Sequence, residues 1–434
     1  MRPADQVLLG PPGAGKSTAL IQRLREEAAS GRRVLPVTFT RAGAARMREL
    51  IDRDGFPTEL LAWGGPTTLH ALCLSAMVAA NASASTPAGG PTTSIASRLT
   101  AGESVVRAHK ARTGSVVALM DRMRLVPDSA DAAGLRGDLA ESDSTDFTGL
   151  LEAVAYAESW DGNMVPAGPA PDTILVDEAQ DLNPLQWLVV HRLLTSADAM
   201  NGRDGGTLLV VAGDDDQAIM EFQGAAVAGM LTVAKAAKRV RVLDVSYRLR
   251  SDVVDLAQTW SKRIRDRYPK TWASAWPATP TSPATPATPT RQIAPRVPPS
   301  TPSLRDIYGD VSRAVGMYGA PQAVLCRSGA RAAKMASEIA EHCPVRLVTG
   351  SENRAFVGPA GTGARPVLVT TIHQSKGREW SDVWLDLTLP RASRTVLTDP
   401  RLSDFEHRVW YVGLTRSFGT TSLYRPRSTD WYPQ

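Results

Sequence analysis

The chain has 434 residues, 43% hydrophobic and 21% charged, which is material for two or three domains with real cores and excludes a single small module. No apolar run approaches the roughly 20 residues that span a bilayer, and residues 1–9 lead straight into a strand-like segment with no room for a leader, so an intracellular, cytoplasmic protein without a membrane contact is expected. Cys73, Cys326 and Cys343 are odd in number and lack C-x-x-C spacing, which speaks against a disulfide framework or zinc site, while the net charge of +5 permits a polyanionic partner without requiring one.

The first strand-like segment, Val7-Leu8-Leu9, runs into Gly10-Pro11-Pro12-Gly13-Ala14-Gly15-Lys16-Ser17-Thr18, and a helix-like Ala19–Leu24 follows. This is G-x-x-x-x-G-K-S in the strand-to-helix setting the motif demands. Glycines at 10, 13 and 15 let backbone N–H groups wrap an anion without Cβ clashes, and the helix N-terminus adds partial positive charge. Lys16 is placed to reach β- and γ-phosphates and Ser17 to ligate Mg²⁺, so ATP and Mg²⁺ are the expected cofactors. An ordinary turn needs neither the lysine nor the serine, yet the loop alone leaves kinases, transport ATPases and motors open.

A second strand signal, 34–39, ends in Thr38-Phe39-Thr40, and Arg41, Arg46 and Arg48 lie on the helical pattern 41–51. Phe39 at a strand end could stack a base while the threonine hydroxyls meet phosphates; a core aromatic is the plainer alternative. The arginines read equally well as a solvated helix face. Thr67-Thr68-Leu69-His70 comes next, and a lone histidine is ordinarily structural. Residues 81–165 break the alternation, opening on Asn81–Pro91 and turning helical around 102–125 and 147–159, which reads as a mostly helical insertion.

Strand-like Ile174-Leu175-Val176 ends in Asp177-Glu178. In a parallel sheet the carboxyl ends of strands face the ligand crevice, so this pair is expected beside the phosphates. Asp177 can hold Mg²⁺ and Glu178 can deprotonate a water for attack on the γ-phosphate, which a kinase would exclude. A helical pattern at 184–194 and a strand at 207–212 lead to Ala212-Gly-Asp-Asp-Asp-Gln217, whose amide can contact the γ-phosphate or the attacking water without adding repulsion. Lys235, Lys238, Arg239 and Arg241 crowd around a strand at 240–245, and Ser246-Tyr247-Arg248 follow.

Between 277 and 302 the Pro-Ala-Thr-Pro repeats cannot form a packed core and read as an extended linker. Strand and helix signals then resume at 322–327, 329–342, 345–349, 366–371 and 382–387, a second α/β unit. Gly358-Pro-Ala-Gly-Thr-Gly363 imitates a phosphate loop, but Ala364-Arg365 stand where Lys-Ser should, so it reads as a turn. Last come Thr370–Trp380, with Thr371, His373, Gly377 and Glu379, and Glu406–Arg416.

In this order the motifs resemble the UvrD/Rep-like branch of superfamily 1 DNA helicases, over roughly 1–80, 172–265 and 320–420. The resemblance implies an α/β protein of two RecA-like P-loop NTPase domains with parallel sheets. They would span 1–80 with 166–240 and 241–276 with 303–434, with the insertion 81–165 in the first and the linker 277–302 in the second. It implies ATP in a cleft between the domains, Tyr247 on the adenine, Glu379 at the ribose with Gly377 nearby, and Arg248 and Arg416 reaching the γ-phosphate. The strand contacts it implies are Thr38, Phe39, Thr40, Thr68, His70, Phe222, Thr371 and His373.

The implied activity is that of an ATP-dependent DNA helicase, a monomer that moves 3′ to 5′ on single-stranded DNA and unwinds duplex at single-strand/duplex junctions in replication, repair or recombination. Three departures stand out. With nine residues before Gly10, no counterpart is expected of the family's adenine-reading glutamine segment, which lies roughly twenty residues before the phosphate loop. Met220 and Gln223 occupy positions that are often tyrosine and arginine. Only about twenty residues separate Val348 from Val369, where the family carries a large insertion. A translocase that clears proteins from DNA without unwinding it therefore stays open beside the helicase. So does, from another class, a P-loop kinase or nucleotide switch, although Arg248 paired with Arg416 argues against it.

Overall fold

The structure, a computed structural model, describes residues 3–84, 95–113, 117–126, 129–157, 166, 168–202, 206–276, 304–350, 352–356, 365–400, 402–426 and 431–432. The expected linker 277–302 and the turn 358–363 lie outside the described residues. The chain forms two compact units, Met1–Leu9 with Lys16–Val242, and Gly10–Gly15 with Leu243–Gln434.

The first unit runs β1 (Gln6–Leu9), α1 (Lys16–Ala29), β2 (Val34–Thr38), α2 (Arg41–Arg53), β3 (Thr67–Thr68) and α3 (Leu69–Ala84), then the helices α4 (Ile95–Thr113), α5 (Val117–Arg124), α6 (Ala130–Glu141) and α7 (Phe147–Ala155). It closes with β4 (Thr173–Asp177), α8 (Pro184–Met200), β5 (Leu208–Gly213), α9 (Val227–Ala236) and β6 (Val240–Val242). The sheet order is β3-β2-β4-β5-β1-β6 and every pairing is parallel. Strands covered on both faces must be apolar throughout rather than alternating, and β2 and β4 are buried at every position. Leu8, Leu175 and Val210 pack against Leu20 and Leu24 of α1 and Met47 and Ile51 of α2. Register pairs Thr38 with both Thr68 and Asp177, and Leu9 with Gly213, so the motif-bearing turns leave one edge of the sheet together.

Helix starts are written locally. The Thr40 hydroxyl caps α2 by accepting from the Gly43 N–H at 3.0 Å. Asn183 and Gln186 close a reciprocal capping box on α8, with Pro184 in its first turn. In the insertion α7 stops at Ala155, short of the expected 159. Helix α6 has no counterpart among the expected elements: Gly134 and Gly137 lower its propensity, and only Leu135 and Leu139 supply large buried side chains. A buried ion cluster ties these helices together. Arg122 of α5 is wholly buried and donates to Asp146 at 3.0 and 3.1 Å and to both Glu152 carboxylate oxygens, while Asp146 also caps α7 through the Gly149 N–H.

The expected strand 240–245 is two strands in different sheets: β6 pairs with β1, whereas β7 (Val245–Arg250) belongs to the second unit. Leu243 and Asp244 separate them, and aspartate is a residue that strands avoid. After β7 come α10 (Ser251–Ser261) and β8 (Ala273–Trp276), which pairs in parallel with β7. They are followed by β9 (Leu304–Tyr308), α11 (Val311–Tyr318), β10 (Ala323–Cys326), α12 (Gly329–Ala340), β11 (Val345–Thr349), β12 (Glu352–Phe356), β13 (Val367–Thr371), β14 (Trp380–Asp386), α13 (Arg391–Thr398), α14 (Ser403–Leu414) and β15 (Ser417–Arg425).

This second sheet has the order β12-β11-β13-β10-β14-β15-β9, with only the β11–β12 pair antiparallel. Its core gathers Val324, Val345, Leu347, Val369 and Trp384 against Met335 and Ile339 of α12. Near the chain end Tyr432 stacks on Trp410 at 4.9 Å and meets Trp260 edge-on at 5.0 Å. Among the described residues, no helix is long and apolar enough to cross a membrane.

Candidate nucleotide site

In the first unit, Lys16 is the first residue of α1, so the lysine and Ser17 stand at a helix N-terminus. The Ser17 hydroxyl donates to Asp177 Oδ2 at 2.9 Å, joining the end of β4 to the start of α1. Burial, and after it the neighbouring Glu178, push the Asp177 carboxyl up to about 6 against the opposing pull of Ser17 and Lys16. Glu178 follows in the left-handed region at φ +54°, ψ +40°, and its N–H donates to Asp177 Oδ1 at 2.9 Å. A non-glycine residue held there carries strain of roughly 1–3 kcal/mol and marks a position whose side chain is being aimed.

Gln180 and Asp214 lie within or beside motifs quoted above, but residue type alone assigns neither of them a role. The Gln180 amide is fully buried, accepts from the Asp214 N–H at 3.1 Å through Oε1, and donates to Glu178 Oε2 at 2.5 Å through Nε2. Asp214 Oδ2 in turn accepts from Gln217 Nε2 at 2.7 Å. A hydrogen-bonded line thus joins Glu178, Gln180, Asp214 and Gln217 across the ends of β4 and β5. Strand ends spaced for a nucleotide announce the carboxylates; only the fold shows which amide lies between them.

In the second unit, the phosphate-loop residues Gly10–Gly15 pack against β7. Ser246, fully buried, donates from Oγ to the Pro12 carbonyl at 2.7 Å, and the Tyr247 N–H donates to the Gly13 carbonyl at 3.0 Å. Gly13 sits at φ +74°, and a Cβ there would fall 2.3 Å from Arg248 Cβ, so glycine is required twice over. Pro11, Pro12 and Ala14 are buried beside it, Gly10 lies under Leu243, and Gly15 has φ +82°. Thr18, in the first turn of α1 in the first unit, is exposed.

Tyr247 is 45% exposed. Arg248 Nε lies 2.7 Å from Glu379 Oε2, so two of the expected nucleotide ligands meet each other. Gly377 has φ +78° with open space where its Cβ would be. Arg416, buried just past α14, donates from Nε to the Val412 carbonyl at 3.0 Å.

The expected strand-contact residues divide by exposure. Thr38 is buried and its Oγ1 has no hydrogen-bond partner among the described residues, Phe39 is half-buried one residue beyond β2, and Thr40 is exposed but engaged in its cap. Thr38 closes a strand that is covered on both faces, whereas Thr40 lies beyond it at the surface. Thr68 Oγ1 accepts from the Ala71 N–H at 3.3 Å, and His70, lowered in pKa by burial, meets Phe147 edge-on at 6.2 Å.

Phe222 is 55% exposed on the turn Glu221–Gln223, which Arg124 supports by donating to the Glu221 carbonyl at 3.2 Å. In the second unit Thr371 ends β13 and accepts from the Gln374 N–H at 3.4 Å. His373 follows, half-buried, and burial, aided by Arg327, takes it down to about 4.

Comparison with known proteins supplies an independent view. Residues 3–223 match the profile of the family described as AAA domain. The RecBCD enzyme subunit RecB of Mycolicibacterium smegmatis is 36% identical over 85 residues, 20% of this chain and 7% of that protein. A Bacillus subtilis protein carrying the name ATP-dependent DNA helicase YjcD is 32% identical over 105 residues, 24% of this chain and 12% of its own. The chain thus matches only a small part of the length of either relative. Arterivirus nonstructural protein 10, a helicase solved in complex with DNA, aligns with 98% of this chain and 62% of its own at 10% identity and a TM-score of 0.39.

Proposed function

The chain belongs to the AAA-domain family of UvrD/Rep-like helicases, and from that premise we propose that it hydrolyses ATP to drive its movement along single-stranded DNA. One observation carries the hydrolytic half of this reading: a phosphate-loop hydroxyl bonded to the buried carboxylate at the end of β4, with a strained glutamate immediately after it.

Lys16 and the N-terminal amides of α1 would hold the β- and γ-phosphates. Mg²⁺ would supply charge neutralisation there, with Ser17 and Asp177 as the residues to hold it; a hydroxyl already 2.9 Å from a carboxylate whose ionisation burial opposes is a donor set that suits such a cation. Glu178 takes a proton from water as the water oxygen bonds to the γ-phosphorus and the bond to the ADP oxygen breaks. Gln217 offers a neutral amide to the departing phosphate. Arg248 and Arg416 add positive charge to the transferring group, and Tyr247 and Glu379 hold adenine and ribose. Loss of the γ-phosphate removes a partner from both arginines, which gives ATP and ADP different affinities for two conformations.

Phe39 and Phe222 are the ring faces proposed to stack bases, with Thr40, Thr68, His70, Thr371 and His373 along the backbone. The 3′ to 5′ direction, action at junctions and a place in replication, repair or recombination follow from the resemblance to UvrD/Rep-like enzymes. ATP turnover measured with and without single-stranded DNA, beside strand displacement on duplexes tailed at either end, tests the whole reading. Turnover stimulated by DNA, with displacement from the 3′-tailed substrate, is expected; turnover indifferent to DNA would return the kinase or switch to first place. A second reading, translocation without unwinding, is favoured by the short path from β11 to β13, which among the described residues holds one hairpin strand, β12, where a large insertion would engage duplex. Displacement absent while protein is cleared from a single strand would select it.

A further inference from the structure

The buried amide of Gln180 has its orientation dictated from one side. Its Oε1 is committed to the Asp214 N–H at 3.1 Å, so only the NH₂ end is left to face Glu178, which it meets at 2.5 Å. Neither end has slack. The residue is fully buried among strand ends, and Gly213 leaves it room, since a Cβ at 213 would lie 2.5 Å from Gln180 Oε1. Beyond it, Asp214 takes the Gln217 amide on Oδ2 at 2.7 Å and the Asp216 N–H on Oδ1 at 3.3 Å.

We propose that Gln180 is a positioning residue that fixes the Glu178 carboxylate and, through Asp214, ties it to the Gln217 amide, so that the groups facing the attacking water and the γ-phosphate move as one piece. The proposal rests on the hydrolytic reading of Glu178 given above. Its physical basis is geometric. Glu178 sits in a left-handed turn that its own backbone does not favour, and a donor from a side chain anchored at its other end resists rotation of the carboxylate. A bridge of this kind makes a shift at either strand end felt at the other.

The two ends of the amide can be tested separately. Gln180→Met removes both hydrogen bonds at similar length, whereas Gln180→Glu keeps an acceptor for Asp214 and replaces the donor with a second carboxylate. Both variants are expected to lower kcat for DNA-stimulated ATP turnover about 10- to 100-fold while KM for ATP stays within about threefold, because a misplaced base costs chemistry and not binding. Hydrogen–deuterium exchange at the Asp214 amide is expected to quicken in Gln180→Met and to stay protected in Gln180→Glu. A kcat in Gln180→Met within about threefold of wild type, or KM rising while kcat holds, would overturn the positioning role. Unchanged exchange at Asp214 in Gln180→Met would overturn the bridge. Exchange needs no turnover, so a wild-type protein that hydrolyses nothing would sink the hydrolase reading and leave the bridge to be judged on its own.

Discussion

Glu178 and Gly13 show how much of a site can be read from residue type alone. The phosphate loop and the Asp177-Glu178 pair were legible because their chemistry requires those residues in that spacing, and the fold sets Ser17 against Asp177. Lys16→Ala or Glu178→Gln is expected to abolish DNA-stimulated ATP turnover, and full activity in either purified variant would defeat the catalytic assignment. Gly13→Ala forces a side chain into φ +74° and onto Arg248. With about 1–3 kcal/mol of strain, nucleotide affinity measured by calorimetry should fall about tenfold or more.

His373 carries a pH signature. Its folded-state value of about 4 lies below the ordinary 6.5, so the unfolded chain takes up a proton that the native protein refuses. Stability conferred by this group is present above pH 6.5 and is lost as pH falls from 6.5 towards 4, by about 3 kcal/mol in all. Urea denaturation of wild type and His373→Gln across that window should show the variant with the shallower slope. What residue type did not reveal was Gln180, Asp214 and Ser246, whose importance lies in what each touches across the sheet or from the next strand.

Among the elements, those with continuous apolar runs or clear caps were legible: β2, β4 and β10 lie where the sequence put them to within a residue, and α8 starts at its expected Pro184 but runs on to Met200, past the expected 194. Strand β15 was not. Its Ser417-Phe-Gly-Thr-Thr-Ser-Leu-Tyr-Arg425 reads as polar, yet Thr421 and Ser422 are fully buried because β14 and β9 flank it on both sides. Tertiary placement overrode the pattern. Helix α6 failed for a related reason, its two glycines being tolerated by packing that a local reading does not see.

The insertion is held as much by charge as by apolar contact, which allows a sharp test. Arg122→Met would strand Asp146 inside the helices and strip Glu152 of its closest partner, at a cost of roughly 3–5 kcal/mol. Chemical denaturation followed by far-ultraviolet circular dichroism would register it, and a loss under about 1 kcal/mol would mean that the cluster contributes little. Asp146→Asn, which keeps the α7 cap acceptor, should cost less.

For the whole molecule, length and composition allowed two or three domains and alternating strand and helix signals announced two α/β units; the structure contains two large sheets, all parallel in the first and parallel but for one pair in the second, with separate cores. What composition hid is where the chain changes allegiance. The peptide passes from the first body to the second at Leu9/Gly10, returns at Gly15/Lys16, and leaves for good at Val242/Leu243. The break inside the expected strand 240–245 is the last of these crossings, and a single polar residue was its only local sign.

That early six-residue detour has a practical outcome for anyone dissecting the gene. A truncated product ending at Val242 would retain Lys16, Asp177 and Glu178 yet lose Ser246 and Tyr247, the residues that hold the carbonyls of Pro12 and Gly13. Such a fragment should fold around its six strands and still grip triphosphate feebly, whereas one prolonged through Trp276, restoring the β7–β8 pair, should regain much of the grip.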